Sequence, residues 1–124
     1  MPKSVYFLFF LLFGLFESIA VANDLDVKKS RWKGFERHDF KYKGVKSLLV
    51  IPDSPAKGFP WVWRARFFGH QPQADIELLK RGFHLAYCDV AGLFGNQVAV
   101  ERWNEFYQML ITRRGLSKKP ALEG

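Results

Sequence analysis

Cysteine is nearly absent from this sequence: Cys88 stands alone among 124 residues. No internal disulfide can form, so the fold must be held by its core. Cys88 lies in an apolar stretch, whereas a reactive thiolate needs an electropositive, partly open setting. It reads as a buried structural thiol. No His, Cys, Asp or Glu cluster has metal-ligand spacing, and no glycine-rich loop of the phosphate-cradling kind occurs. Neither a metal nor a cofactor is expected. Long runs of one charge are missing too. Lysine and arginine outnumber the acids 19 to 12, a formal charge of +7, but they are scattered in singles and pairs. Such an excess is a solvated surface, and no RNA-binding or helix-turn-helix signature accompanies it. Nucleic acid is not expected as a partner. Binding of an anionic polymer by an exported basic protein is the weaker reading of the same charge.

What is present suits a globular chain, with 48% hydrophobic and 25% charged residues. The length allows one small domain. Much of the aromatic content falls in residues 1–16 and belongs to a different feature. Lys3 is a minimal basic start, Val5 to Phe16 is an unbroken apolar run, and Ala20-Val21-Ala22 is a small-x-small site. The run is too short to span a bilayer, which takes about 20 residues. The three parts predict a signal peptide over 1–22, cleaved after Ala22. An uncleaved anchor extended through Ile19 to Ala22 is the alternative. With cleavage, the protein is secreted or periplasmic and meets the membrane only transiently.

Residues 23–34 are polar and read as a loose lead-in. Phe35 to Tyr42 and Val45 to Ile51, joined by Lys43-Gly44, read as an antiparallel hairpin. Pro52 to Pro60 is a loop by its prolines and glycine. Trp61 to Phe68 reads as a strand with its exit, broken at Gly69. Pro72 to Arg81 reads as a short helix, with Pro72 at its start and Gly82 past its end. Phe83 to Val90 is apolar enough for a strand buried on both faces, as in parallel sheets. Asn96 caps a long amphipathic helix that stops at Gly115. Its apolar stripe runs through Val100, Trp103, Tyr107 and Leu110, widened by Phe106 and Ile111. Pro120 to Glu123 returns as a last strand. Alternating strands and helices after a hairpin imply an α/β fold with a mainly parallel sheet covered on both faces.

That order, with the last strand running into Gly124, resembles the first half of the α/β-hydrolase fold. Two local patterns carry the resemblance. Tyr87-Cys88-Asp89-Val90-Ala91-Gly92-Leu93-Phe94-Gly95 is similar to the strand end and glycine loop of many members. Leu122-Glu123-Gly124 puts a glycine where the nucleophile elbow, Gly-x-Ser-x-Gly, begins. The resemblance covers 35–124, read as an incomplete α/β-hydrolase domain. It implies a partial hydrolase sheet: the antiparallel N-terminal hairpin, then parallel β-α-β-α-β.

The family's serine, acid and histidine follow the elbow. None of Ser4, Ser18, Ser30, Ser47, Ser54 and Ser117 lies in Gly-x-Ser-x-Gly, and His38, His70 and His84 all precede Gly124. No catalytic residue is therefore expected within the chain. The resemblance does imply half of an oxyanion hole on the loop after Trp61 to Arg64. Relatives often carry His-Gly there; this chain has Arg64-Ala65-Arg66-Phe67-Phe68-Gly69-His70. Ala65, Arg66 and Phe67 are the candidate donors. Trp63, Arg64 and His70 are candidates for a substrate rim, where an Arg/Trp cluster suits an anionic or sugar-like group. Ordinary loop backbone and a surface arginine pair are the plain alternatives. Asp89 reads as structural, holding the following loop.

The expected function is the N-terminal portion of an exported, cofactor-free hydrolase of ester or peptide-like bonds, on a small molecule or polymer. The alternative is a chain without catalysis, either a truncated gene product or a small interaction module.

Overall fold

Two tight turns open the fold. In Lys33-Gly34 both residues have positive φ, 50° and 88°, and in Lys43-Gly44 they are 49° and 78°. Positive φ at both central residues is the type I′ geometry, whose twist matches paired strands. The turns join β1 (Lys28–Trp32), β2 (Phe35–Tyr42) and β3 (Val45–Ile51) into an antiparallel meander. The computed structural model describes residues 26–124. The signal-peptide expectation for 1–22 lies outside them. Among the described residues no helix is long and apolar enough to cross a membrane.

Strand β1 corrects the reading of a loose lead-in up to residue 34. Lys28 to Arg31 are exposed on both faces, so no apolar alternation marks them as a strand. The turn at Lys33-Gly34 brings them against β2, with Lys28 opposite Asp39 and Trp32 opposite Phe35.

The remaining elements alternate: β4 (Trp61–Arg64), α1 (Gln73–Lys80), β5 (His84–Cys88), α2 (Gln97–Arg114) and β6 (Ala121–Glu123). The sheet order is β1-β2-β3-β5-β4-β6. β5 is antiparallel to β3 and parallel to β4, and β4 is parallel to β6. The fold is thus an α/β mix on one six-stranded mixed sheet. The segment after β4 is shorter as a strand than its apolar run suggests. Phe67 has φ of 54°, which turns the chain out of the sheet.

Strand alternation divides the sheet's two faces. Leu48, Val50, Val62 and Leu85 point to one face and pack with Leu79 of α1. Leu49, Trp61, Ala86 and Cys88 point to the other and pack with Phe106, Met109 and Leu110 of α2. Asn96 caps α2 as expected, its side chain accepting from the Ala99 N–H at 3.1 Å. Gly115 ends it with φ of 69°. The buried stripe differs slightly from the expected one. It runs through Ala99, Phe106, Met109 and Leu110, while Val100 is turned to solvent. Trp103 and Tyr107 flank it, and Tyr107 stacks on Trp63 at 7° between planes.

One glycine is fixed by space. Gly82 has φ of 91°, and a Cβ there would sit 2.6 Å from the Ala56 N and 2.7 Å from the Ser54 O. The same approach lets the Ala56 N–H donate to the Gly82 carbonyl at 3.0 Å. This tie anchors the proline-rich loop over the start of β5.

Candidate functional site

The parallel strands β4, β5 and β6 all end at the same edge of the sheet. The chain leaves β4 toward α1 on one face and leaves β5 toward α2 on the other. Where adjacent connections part in this way, a crevice opens above the carboxyl ends. A cleft of about 410 Å³ lies there. The sheet lines it with Arg37, Leu48 and Tyr87, and the loop after β4 with Arg66, Phe67 and Phe68. Val90 and Ala91 close it from the loop after β5.

The loop over this cleft is held by Arg64. Along β4 side chains alternate, so Trp61 and Trp63 face α2 while Val62 and Arg64 face α1. Arg64 is buried. Its Nη1 donates to Asp75 Oδ2 at 2.7 Å and to Glu123 Oε1 at 3.0 Å. Its Nη2 donates to the His70 carbonyl at 2.6 Å, and its Nε to the Arg66 carbonyl at 3.3 Å. A single guanidinium therefore ties the loop, α1 and β6 together. Asp75 is 1% exposed, and its Oδ1 has no partner among the described residues. Burial first, then the neighbouring Glu123 carboxyl, raise its pKa, and Arg64 only partly opposes this. Two carboxyls sharing one cation resist full ionisation.

Several expected site residues take other places. Trp63 is not at a rim. Its ring sits among Trp61, Trp103, Phe106 and Tyr107, because strand alternation turns it into the α2 face. Arg64 is not at a rim either; it is the buried strut just described. His70 is exposed, and its backbone rather than its imidazole is used, accepting from Arg64 and donating to the Phe67 carbonyl at 3.0 Å. Ala65 is ruled out as an oxyanion donor, because its N–H donates to the Glu123 carbonyl at 2.8 Å. Among the described residues the N–H groups of Arg66 and Phe67 have no such partner. Gly124 directly follows Glu123, the end of β6.

Residues that sequence alone did not single out complete the site. Phe68 folds down onto the sheet, its ring centroid 5.0 Å from that of Trp32 and 5.9 Å from that of Tyr87. The Arg37 guanidinium lies 5.3 Å from the Phe68 centroid and is paired with Asp39 by two hydrogen bonds of 2.8 Å. The pairing of Phe68 with Trp32 depends on β1, whose sequence carries no strand signal.

Among the described residues Cys88, Asp89, His38 and His84 are engaged elsewhere or buried. Cys88 is buried, and burial pushes its thiol up to about 12. Asp89 holds its loop, its Oδ1 accepting from the Ala91 N–H at 2.9 Å. His38 bonds Glu36 at 2.6 Å, and burial lowers the pKa of His84. The Ser47 hydroxyl donates to the Val45 carbonyl at 3.2 Å. Among the described residues no serine is bonded to a histidine, and no group of His, Cys, Asp and Glu is placed to hold a metal ion. No protein-family model and no curated protein matches the chain.

Proposed function

We propose that this chain is the N-terminal portion of an exported α/β-hydrolase that cleaves an ester or peptide-like bond without a cofactor. The catalytic serine lies beyond Gly124 in this reading. The carrying observation is the hydrogen bond from the Ala65 N–H to the Glu123 carbonyl, 2.8 Å long. It sets the end of β6 beside the loop whose next two N–H groups have no partner among the described residues.

That neighbourhood is what acyl transfer requires. A nucleophile presented on a turn after β6 would stand against the Arg66 and Phe67 N–H groups. In this family one oxyanion donor comes from that loop and the other from the residue after the nucleophile. Fixed donors of this kind act where negative charge develops on the carbonyl oxygen. The Arg64 strut serves the same purpose by holding the loop against α1 and β6. The antiparallel opening, the parallel strands β4 to β6 and the helices on opposite faces support the partial hydrolase arrangement. The predicted signal peptide supports a secreted or periplasmic protein.

A small interaction module without catalysis is the rival reading, and it draws on the two closed cores. An exposed apolar edge weighs against it: Leu122 is 77% exposed on β6, which among the described residues pairs only with β4, an edge that folded modules usually shield.

Labelling of the native gene's product with a fluorophosphonate tests the proposal. The expected result is one covalent adduct on a serine beyond Gly124, together with hydrolysis of a nitrophenyl ester. A product that carries no adduct and cleaves no ester would contradict it.

A further inference from the structure

The cleft beneath the loop after β4 combines an apolar floor with Arg66, whose guanidinium has no acidic partner among the described residues. We infer that it binds small amphiphilic carboxylates, with the apolar body on Leu48, Phe68 and Tyr87 and the carboxylate on Arg66. The inference rests on the hydrolase reading for the role of the cleft, and it names the class of substrate or product held there.

The charges around the cleft support an anion. Arg37 is neutralised by its two bonds to Asp39 and serves as a wall beside Phe68. Arg66 forms no ion pair among the described residues; its guanidinium lies 4.9 Å from the centroid of Phe67. Among the described residues no aspartate or glutamate lines the cleft. The nearby Asp89 commits an oxygen to the Ala91 N–H.

A second donor faces the same space. The hydroxyl of Tyr87 makes no hydrogen bond among the described residues, and burial, followed by the charge of Asp89, holds its pKa above the usual value. The phenol therefore keeps its proton at neutral pH and remains a donor. Arg66 and Tyr87 line the same cleft, so guanidinium and phenol share one neighbourhood. A carboxylate accepts from both kinds of donor, and charge-assisted bonds of this sort are the strong ones.

The apolar part follows from the rings. Phe68 is locked between Trp32 and Tyr87, so the floor is preformed. Phe67, at positive φ and 62% exposed, projects at the mouth. A bare inorganic anion would leave this surface unused, and a neutral hydrocarbon would leave Arg66 without a partner. The volume of about 410 Å³ lies within the range of small-molecule sites, roughly 300–1,000 Å³.

Calorimetric titration of the full chain with 4-phenylbutyrate and with its neutral amide at pH 7 tests the inference. The carboxylate should bind about tenfold more tightly than the amide, the scale of one charge-assisted bond at a partly exposed site. Arg66→Gln should abolish that preference, Arg66→Lys should keep part of it, and Arg113→Gln, at an exposed arginine over Tyr42, should leave it intact. Equal binding of the two compounds, no binding of the carboxylate, or a preference that survives Arg66→Gln would overturn it. No bond is cleaved in this experiment. Its failure leaves the hydrolase reading to the fluorophosphonate result, and its success does not depend on a nucleophile.

Discussion

Arg64 and Asp75 form a buried ion pair, 2.7 Å between Nη1 and Oδ2, on which the loop over the cleft depends. Arg64 also carries two carbonyls of that loop and the Glu123 carboxylate. Removing Arg64 takes away the donor that the buried Asp75 carboxyl, the Glu123 carboxylate and two loop carbonyls share, and breaking a buried pair of this kind costs about 3–5 kcal/mol. Arg64→Met should lower the unfolding free energy from urea titration by that order, and Arg64→Met combined with Asp75→Leu should recover part of the loss. Additive losses in the double variant would show that the two residues act separately.

The same pair makes stability depend on pH. The Asp75 carboxyl is raised from 3.8 to about 7 in the fold. A raised carboxyl contributes stability while protonated. That contribution is fully present below the unfolded value, about 3.8, and is lost as pH rises through about 7. Asp75→Asn keeps an acceptor for Arg64 and removes the titration. Urea midpoints at pH 4, 6 and 8 should therefore shift in favour of Asp75→Asn as pH rises. A gap between variant and parent that stays constant with pH would refute this assignment.

Gly82 is fixed by contact as well as by φ, whereas Gly69, at φ of 85°, has nothing within 4 Å of an added Cβ. Gly69→Ala should cost about 1–2 kcal/mol, the strain of a left-handed residue. Gly82→Ala adds a clash with the backbone of Ser54 and Ala56, and should cost clearly more. Thermal melting of the two variants side by side tests the ranking, and equal losses would mean that the loop over residues 54–56 yields freely.

Cys88 should behave as an inert core thiol. Its pKa of about 12 and its 1% exposure predict negligible alkylation by iodoacetamide at pH 8, with stoichiometric reaction in urea. Prompt alkylation of the folded protein would show a thiol more open and more acidic than its packing allows.

The parts legible in sequence are those with a local cause. Helix α2 announces itself through Asn96, Gly115 and an apolar period, and β3 and β5 through continuous apolar runs. Strand β1 was not legible, because Lys28 to Arg31 bury nothing. Its one signal is Lys33-Gly34, the same dipeptide that marks the following turn at Lys43-Gly44. Arg64 was misplaced for a different reason. Arginine belongs at the surface by default, and the groups that reverse this are Asp75, eleven residues away, and Glu123, 59 residues away. Strand parity does place Trp63 and Arg64 on opposite faces, but parity alone does not say which face is covered. The N–H groups of Arg66 and Phe67, without a partner among the described residues, and the tethered N–H of Ala65 are distinguished by one ladder bond to β6. Only the assembled sheet reveals that bond.

In the proposed hydrolase reading a nucleophile elbow begins at Gly124. Sequencing the native coding DNA past the Gly124 codon, read in every frame, tests it most directly. The expected result is a serine codon two positions on and a glycine codon four positions on, in frame. An in-frame continuation without a nucleophile at that position, and with no such motif in a shifted frame, would contradict it.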